Sequence, residues 1–341
     1  MAEMGVHGGT DALGIPAHDF STNRNACGPC PLAVEALQAA HSAQYPDPAY
    51  TALREQLAQF HGVEVRRVVM AGSASEFIHR ITMHALRQGA SCVSFPAHHY
   101  GDYPQAAQVW GLQLADRAAQ RLGTGLHWAC APSSPLGQED AVLAQWAAHP
   151  ATPGTWRVLD CAYAPLRLDP APALPGLDQL WQMWTPNKAL GMTGVRAAYA
   201  IAPEHVTEQE LTALRLLAPS WVVGAHGVAM LQAWTQPEVQ QWLQASLVQL
   251  RDWKSQQLQL CERLGWQVLP GSLANYFVAR WPEHLHTAMP QWLAALRAQS
   301  IKLRDATSFG LPGCVRLGVL PPASQRVLEQ AWQELVLKEL V

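Results

Sequence analysis

One stretch of the 341-residue chain concentrates side chains able to do covalent chemistry: Trp184-Thr185-Pro186-Asn187-Lys188-Ala189-Leu190-Gly191-Met192-Thr193-Gly194-Val195-Arg196. A lysine stands eight residues before an arginine, with a hydroxyl three residues ahead of it and two glycines between. The chain has 23 basic residues but only four lysines, Lys188, Lys254, Lys302 and Lys338, so Lys188 is the single lysine of the first 253 residues. An ε-amine in apolar surroundings can lose its proton and form an imine, which a guanidinium cannot. Desolvation and a neighbouring cation both depress its pKa, and Thr185 and Arg196 are suited to binding a phosphate. The other reading of Lys188 is a solvated loop lysine.

Three further places offer complementary chemistry. Asp160 closes the run WRVLD and precedes Tyr163. A carboxylate at a strand end can hold a pyridinium nitrogen protonated, and a phenol can bond the adjacent ring oxygen; a capping Asp beside a core Tyr reads the same way. Gly72-Ser73-Ala74-Ser75-Glu76 lies between an apolar run and a helical one, where small residues let backbone N–H groups approach a phosphate. Such turns also serve packing alone, and no GxxxxGK[ST] pattern accompanies this one. Arg316 sits inside GLPGCVRLGVL, and a buried guanidinium needs an anion, either a substrate carboxylate or a structural Asp or Glu. An imine-forming amine, a strand-end carboxylate and a small-residue turn are groups that a pyridoxal 5′-phosphate (PLP) site would use, and each of them also has the plainer reading given beside it.

Those residues need a scaffold. PLAVEALQAAH and PAYTALREQLAQFHG carry apolar residues at helical spacing on either side of Tyr45-Pro46-Asp47-Pro48. Short apolar runs then alternate with helical ones: RRVVMAG, SEFIHRITMHALRQG, SCVSF, YPQAAQVWG, HWACAP, a helix after Gly137, WRVLDCAY, LWQMWT and RAAYAIA. That alternation predicts an α/β fold with a mostly parallel sheet covered by helices on both faces. Residues 237–264 predict one long amphipathic helix, and WQVLPG, ANYFVARW, MPQWLAALRAQ, IKLRD and CVRLGVL a shorter α+β pattern after it. The expected division is an N-terminal arm and helix over 1–44, a large domain over 45–236, and the long helix with a small domain over 237–341. DPAPALPG is expected to be a surface loop of the large domain.

Composition narrows the chemistry. A net charge of −3 without a Lys/Arg run argues against a nucleic-acid surface. No run reaches the roughly 18 apolar residues of a membrane helix, and the N-terminus lacks the pattern of an export signal. Seven irregularly spaced cysteines fit a reducing compartment, so a cytoplasmic enzyme acting on a small molecule is expected.

These stretches resemble fold-type I PLP enzymes of the class I/II aminotransferase family, in the branch of histidinol-phosphate aminotransferase and threonine-phosphate decarboxylase. HGG at 7–9, DFSTNRNACGP, YPDP, GSASE, YGDY, PSSPLG, LDCAY, TPNKALGMTGVR and IKLRDATSFGLPGCVRLGV fall in the family's order, almost end to end. The resemblance implies a three-layer α/β/α large domain with a smaller α+β domain. It implies that Lys188 carries the cofactor as a Schiff base, that Asp160 partners the pyridinium, that Tyr163 contacts O3′ and that Tyr103 stacks on the ring. Ala74, Ser75, Thr185 and Arg196 would hold the phosphate, and Arg316 the α-carboxylate. Arg304, Asn23 and His7 would set the substrate's pose, two arginines suiting a doubly anionic substrate. Tyr45 would reach the phosphate of a neighbouring subunit, implying a homodimer.

Two departures stand out. Ser134 replaces the asparagine that bonds O3′ in the family's N-P-N-N-P-T-G run, and Cys161 replaces the glutamate of D-E-A-Y. Transamination is the first reading and decarboxylation the second, although RDATSFGLPG and HGG lean toward the decarboxylase side. Of other classes, Cys27-Gly28-Pro29-Cys30 has the spacing of a redox dithiol, or with His98 and His99 of a zinc site. Its context, an irregular arm rather than a strand-to-helix junction, is wrong for a dithiol. A non-catalytic PLP-fold binding protein is the remaining alternative.

Overall fold

The computed structural model describes residues 7–117, 124–149, 151–170 and 176–339. In chain order the elements are β1 (His18–Asp19), α1 (Pro31–Gln38), α2 (Thr51–His61), β2 (Val68–Ala71), α3 (Ala74–Arg87), β3 (Cys92–Phe95), α4 (Asp102–Val109) and β4 (Gln113–Asp116). Then come β5 (Gly125–Cys130), α5 (Val142–Ala148), β6 (Thr155–Asp160), β7 (Trp181–Trp184), β8 (Ala198–Ile201), α6 (Glu208–Arg215), α7 (Ala225–Trp234) and α8 (Pro237–Arg263). The C-terminal part holds β9 (Gln267–Val268), β10 (Tyr276–Arg280), α9 (Met289–Ala298), β11 (Ile301–Lys302), β12 (Arg304–Asp305), β13 (Cys314–Gly318) and α10 (Pro322–Glu339).

The main sheet has seven strands in the order β2-β8-β7-β6-β5-β3-β4. β8 runs antiparallel to both neighbours and every other pairing is parallel, as the alternating pattern predicted. All six residues of β5 are buried, which is why HWAC reads as a continuous apolar run: helices cover both faces. Three elements between β3 and α8 went unread in the sequence. β4, QLAD, is an edge strand whose Leu114 is exposed, so no apolar face marks it. α6 carries a legible signal, the Thr207–Glu210 capping box, with both reciprocal bonds formed. α7, AHGVAMLQAW, is apolar nearly all round and offers no period to read. Residues 171–175 of the expected DPAPALPG loop lie outside the described residues.

α8 spans 27 residues, about 40 Å at the usual rise, and leads to a four-stranded sheet ordered β12-β13-β10-β9. Trp266, Trp281, Trp292 and Trp332 pack around one another there, the last three of these rings meeting with centroids 4.6 Å apart on either side of Trp332. The N-terminal segment docks on this part of the molecule: β1 pairs in parallel with β11, and the Gly318 N–H donates to the Phe20 carbonyl at 2.7 Å.

The same segment then crosses to the loop after β7. The Asn25 N–H donates to the Lys188 carbonyl and the Cys30 N–H to the Leu190 carbonyl, each at 2.9 Å, and Asn25 Nδ2 to the Ala189 carbonyl at 3.0 Å. The two backbones approach so closely that a Cβ on Gly28 would lie 2.8 Å from the Leu190 oxygen and 3.0 Å from Gly191 Cα. CGPC is therefore a packing motif that seats the lysine loop. Gly28→Ala should push the two segments apart and lower stability by about 1–3 kcal/mol, the usual range for an overpacked contact, read from urea unfolding midpoints.

Candidate active site

β2, β3, β5, β6 and β7 all end on the same side of the main sheet, because β2 and β7 are each antiparallel to β8. Their C-terminal loops converge there, the usual ligand crevice of such a sheet. After β2 come Ser73, Ala74 and Ser75; after β3, Tyr100; after β5, Ser134; at the end of β6, Asp160 and then Tyr163; after β7, Thr185 and Lys188. With Arg196, these line one narrow cavity. It opens into a larger one of about 810 Å³ bounded also by His7, Asn23, Arg304 and Arg316 from the N-terminal arm and the smaller sheet.

The loop carrying Lys188 is held as a tight turn: Leu190 N–H donates to the Pro186 carbonyl at 2.9 Å and Met192 N–H to the Asn187 carbonyl at 2.7 Å. Lys188 Nζ donates to Thr185 Oγ1 at 3.2 Å and lies 5.4 Å from the centre of the Tyr163 ring. Burial lowers the amine's pKa; Asp160 opposes that and the Arg196 guanidinium adds to it. The lysine is thus no solvated loop residue.

Asp160 is buried, and burial raises its pKa, against the pull of the Tyr103 hydroxyl and of Lys188. Tyr103 Oη donates to Oδ2 at 2.7 Å and the Ala162 N–H to Oδ1 at 2.9 Å. Here one expectation is corrected. Tyr103 does not face the cavity: it is 1% exposed, stacked on Trp128 at 4.5 Å and 11°, and it lies behind Asp160 as a hydrogen-bond donor. The aromatic ring on the cavity wall is Tyr100, three residues earlier in the same YGDY run, with Oη 3.3 Å from Ser75 Oγ. Helical direction explains the exchange: Tyr100 precedes α4 while Tyr103 is inside its first turn, facing the sheet.

At the phosphate-like turn, Ser73 caps α3 by accepting from the Glu76 N–H at 3.1 Å. Gly72 serves packing, since a Cβ there would lie 2.8 Å from the Val222 oxygen. Arg196 forms no hydrogen bond or ion pair among the described residues.

Arg316 has no carboxylate partner among the described residues, which removes the structural ion pair as its explanation. It is 7% exposed; Nη2 donates to the Ser21 carbonyl at 2.9 Å, Nη1 to Ser134 Oγ at 3.3 Å, and Nε is left without a partner. Arg304 stands opposite it on the neighbouring strand, 4.6 Å from the Phe309 ring, and burial beside a second guanidinium lowers its pKa to about 10. Asn23, on the same cavity, is buried with both amide atoms unpartnered.

Tyr45 lies away from the cavity of its own chain, 78% exposed and stacked on Trp221 at 4.4 Å. Cys27 and Cys30 have pKa values raised by burial, the reverse of a reactive dithiol. Among the described residues no group of three His, Cys, Asp or Glu side chains is placed to hold a metal.

The family model for aminotransferase class I and II matches residues 16–335. The chain belongs to that aminotransferase family. It is accordingly a PLP-dependent enzyme, and its cofactor is pyridoxal 5′-phosphate. Histidinol-phosphate aminotransferase of Jannaschia sp. (strain CCS1) is 27% identical over 331 residues, 91% of this chain and 89% of that one. Among solved structures, histidinol-phosphate aminotransferase from Sinorhizobium meliloti, in complex with pyridoxal-5′-phosphate, superposes with a TM-score of 0.79 at 21% identity over 96% of this aminotransferase-family chain and 92% of the other. L-threonine-O-3-phosphate decarboxylase from Porphyromonas gingivalis does so with a TM-score of 0.72 at 19% identity, covering 89% and 94%.

The Tyr103–Asp160 bond gives a pH-dependent prediction. It favours the ionised carboxylate, so its contribution is present while Asp160 is charged and is lost as Asp160 takes a proton. Tyr103→Phe should cost about 1.5–3 kcal/mol at pH 7, the range for a hydrogen bond to a charged group. The deficit in urea unfolding should narrow on acidification, starting above the ordinary Asp range because the folded carboxyl's pKa is raised.

Proposed function

We propose that this protein is an aminotransferase for an amino compound bearing an anionic group, with the cofactor held covalently on Lys188 Nζ. The observation that carries the proposal is one cavity lined both by the half-buried Lys188, whose amine burial and Arg196 push toward its neutral form, and by a buried guanidinium, Arg316, without a carboxylate partner among the described residues. The polar groups left over among the described residues fit PLP and its substrate: there Arg196 is unpaired, and Asn187 Oδ1, Arg316 Nε and both amide atoms of Asn23 are buried without partners.

Ala74, Ser75, Thr185 and Arg196 would hold the cofactor's phosphate at the N-terminus of α3. Asp160 would face the ring nitrogen, Tyr163 and Ser134 the O3′ side, and Tyr100 the ring face. When bound, PLP withdraws electrons from the substrate Cα so that a bond there can break. Ionised Asp160 keeps a proton on the ring nitrogen, and the Tyr103 hydroxyl helps hold that carboxylate charged in a dry site. Lys188 Nζ, with its lowered pKa, can take a proton from the substrate Cα at neutral pH and return it. Arg316 grips the substrate carboxylate and so sets which Cα bond stands across the ring.

Adjacent Arg304 and Arg316 also suit a substrate with two anionic groups, which keeps phosphorylated amino compounds and the decarboxylase reading in view. Decarboxylation would use the same side chains with the Cα–carboxylate bond in the breaking position. The homologous histidinol-phosphate aminotransferases favour transamination. A homodimer accounts for Tyr45, an exposed ring off its own cavity that a partner's phosphate site could accept. Cytoplasmic location accords with seven cysteines all present as free thiols.

Lys188→Ala should lower turnover by roughly 10²–10⁴-fold, the range for a positioned acid–base group, and borohydride should leave a cofactor adduct on wild type at position 188 but none on the variant. Colourless wild-type protein after incubation with PLP would refute the assignment. Arg316→Met should weaken binding of carboxylate-bearing substrates by about 2–5 kcal/mol, read as KM across an amino-acid panel. Scoring that panel for keto acid and for carbon dioxide separates transamination from decarboxylation.

A further inference from the structure

The larger cavity is not uniformly basic. Arg304, Arg316, Asn23 and Arg24 stand along the sides contributed by the arm and the smaller sheet, whereas the side formed by α4 and the loop before it carries Asp102 and His99. Asp102 is 8% exposed and forms no ion pair among the described residues. A polar group it acts on is the phenol of Tyr100, whose proton it helps hold, and as a like charge it raises the pKa of Asp160. A first-turn position on α4 favours a carboxylate through the helix dipole, but that effect is small beside the cost of taking a charge out of water without a counter-ion.

His99 adds a second acceptor. Its Nδ1 lies 2.9 Å from the Pro96 carbonyl oxygen, which can only accept, so Nδ1 carries the ring proton. Burial lowers the ring's pKa and keeps it neutral, which leaves Nε2 an acceptor. Gln105 completes this side one turn further along α4. The α4 side of the cavity therefore carries acceptors, and the arm and smaller sheet contribute guanidinium donors.

We propose that Asp102, with His99, is the specificity determinant of this site, and that the substrate carries a cationic N–H donor group, an ammonium or guanidinium, in addition to the anion held by Arg316. This rests on the PLP-dependent reading above and names the substrate class within it. A dianionic substrate lacking such a group would leave the Asp102 carboxylate with the Tyr100 phenol but no cationic partner, and so would be discriminated against by loss of a partner rather than by a clash.

The test uses two ligands that cannot react with the cofactor: 4-guanidinobutanoate and its uncharged isostere 6-methylheptanoate. Both offer a carboxylate to Arg316, and only one offers N–H donors to Asp102. Affinities are measured by calorimetry on PLP-loaded protein. Wild type should bind the guanidino compound about tenfold or more tightly, Asp102→Glu should keep a preference, and Asp102→Asn should lose it while still binding PLP with the wild-type absorbance. Equal affinities in wild type, or an undiminished preference in Asp102→Asn, would overturn the inference; so would weakening of both ligands alike, which marks a structural role. Failure of wild type to take up PLP would overturn the assignment of the preceding subsection instead, a result visible in the absorbance before any ligand is added.

Discussion

Lys188, half-buried, and Asp160, buried, line one cavity, and most of the surrounding structure exists to make that tolerable. Burial drives the amine toward its neutral form and the carboxylate toward its protonated form, while each opposes the shift of the other. Tyr103 and the Ala162 N–H supply Asp160 with two hydrogen bonds, and Thr185 accepts from Lys188. Trp128 fixes Tyr103 by stacking on it, so a residue deep in the sheet controls the charge of a group at its edge. The balance suits a site that needs a deprotonatable amine and an ionised acid a short way apart.

A second constraint is that the cavity is assembled from three distant parts of the chain. Strand ends of the main sheet supply the amine and the acid, the smaller sheet supplies Arg304 and Arg316, and the N-terminal arm supplies Asn23 and the Ser21 carbonyl that orients Arg316. The arm is pinned at both ends, by Asp11 to Arg297 and Lys302 on one side and by the Gly28–Gly191 contact on the other. Arg297 and Lys302 hold the Asp11 carboxyl well below the usual carboxylate range. Chain continuity between these parts runs through α8, whose Lys254 donates to the Ser272 and Ala274 carbonyls beside the Gly137 turn.

Ser134 shows how a single departure from the family pattern is absorbed. Where the resemblance leads one to expect an amide, this chain has a hydroxyl that accepts from Arg316 at 3.3 Å and borders both the narrow cavity and the larger one. A hydroxyl can accept from the arginine and donate to a ring oxygen at once, so one small group couples the two.

The sequence by itself determined the alternation of strands and helices, the parallel sheet, and the short list of groups with the right chemistry, because periodicity and rare residue types are local signals. Lys188 was legible as the lone lysine of the first 253 residues, Asp160 as the acid at a strand end, and Arg316 as a guanidinium in an apolar run. Only the tertiary structure decided which of two tyrosines in YGDY faces the cavity, since that depends on where α4 begins and which side of it meets the sheet. It also decided that CGPC is a close backbone contact rather than a dithiol, and that Asp102, unremarkable in sequence, is a buried carboxylate without a counter-ion among the described residues. Those are facts about neighbours far apart in the chain, and no local pattern encodes them.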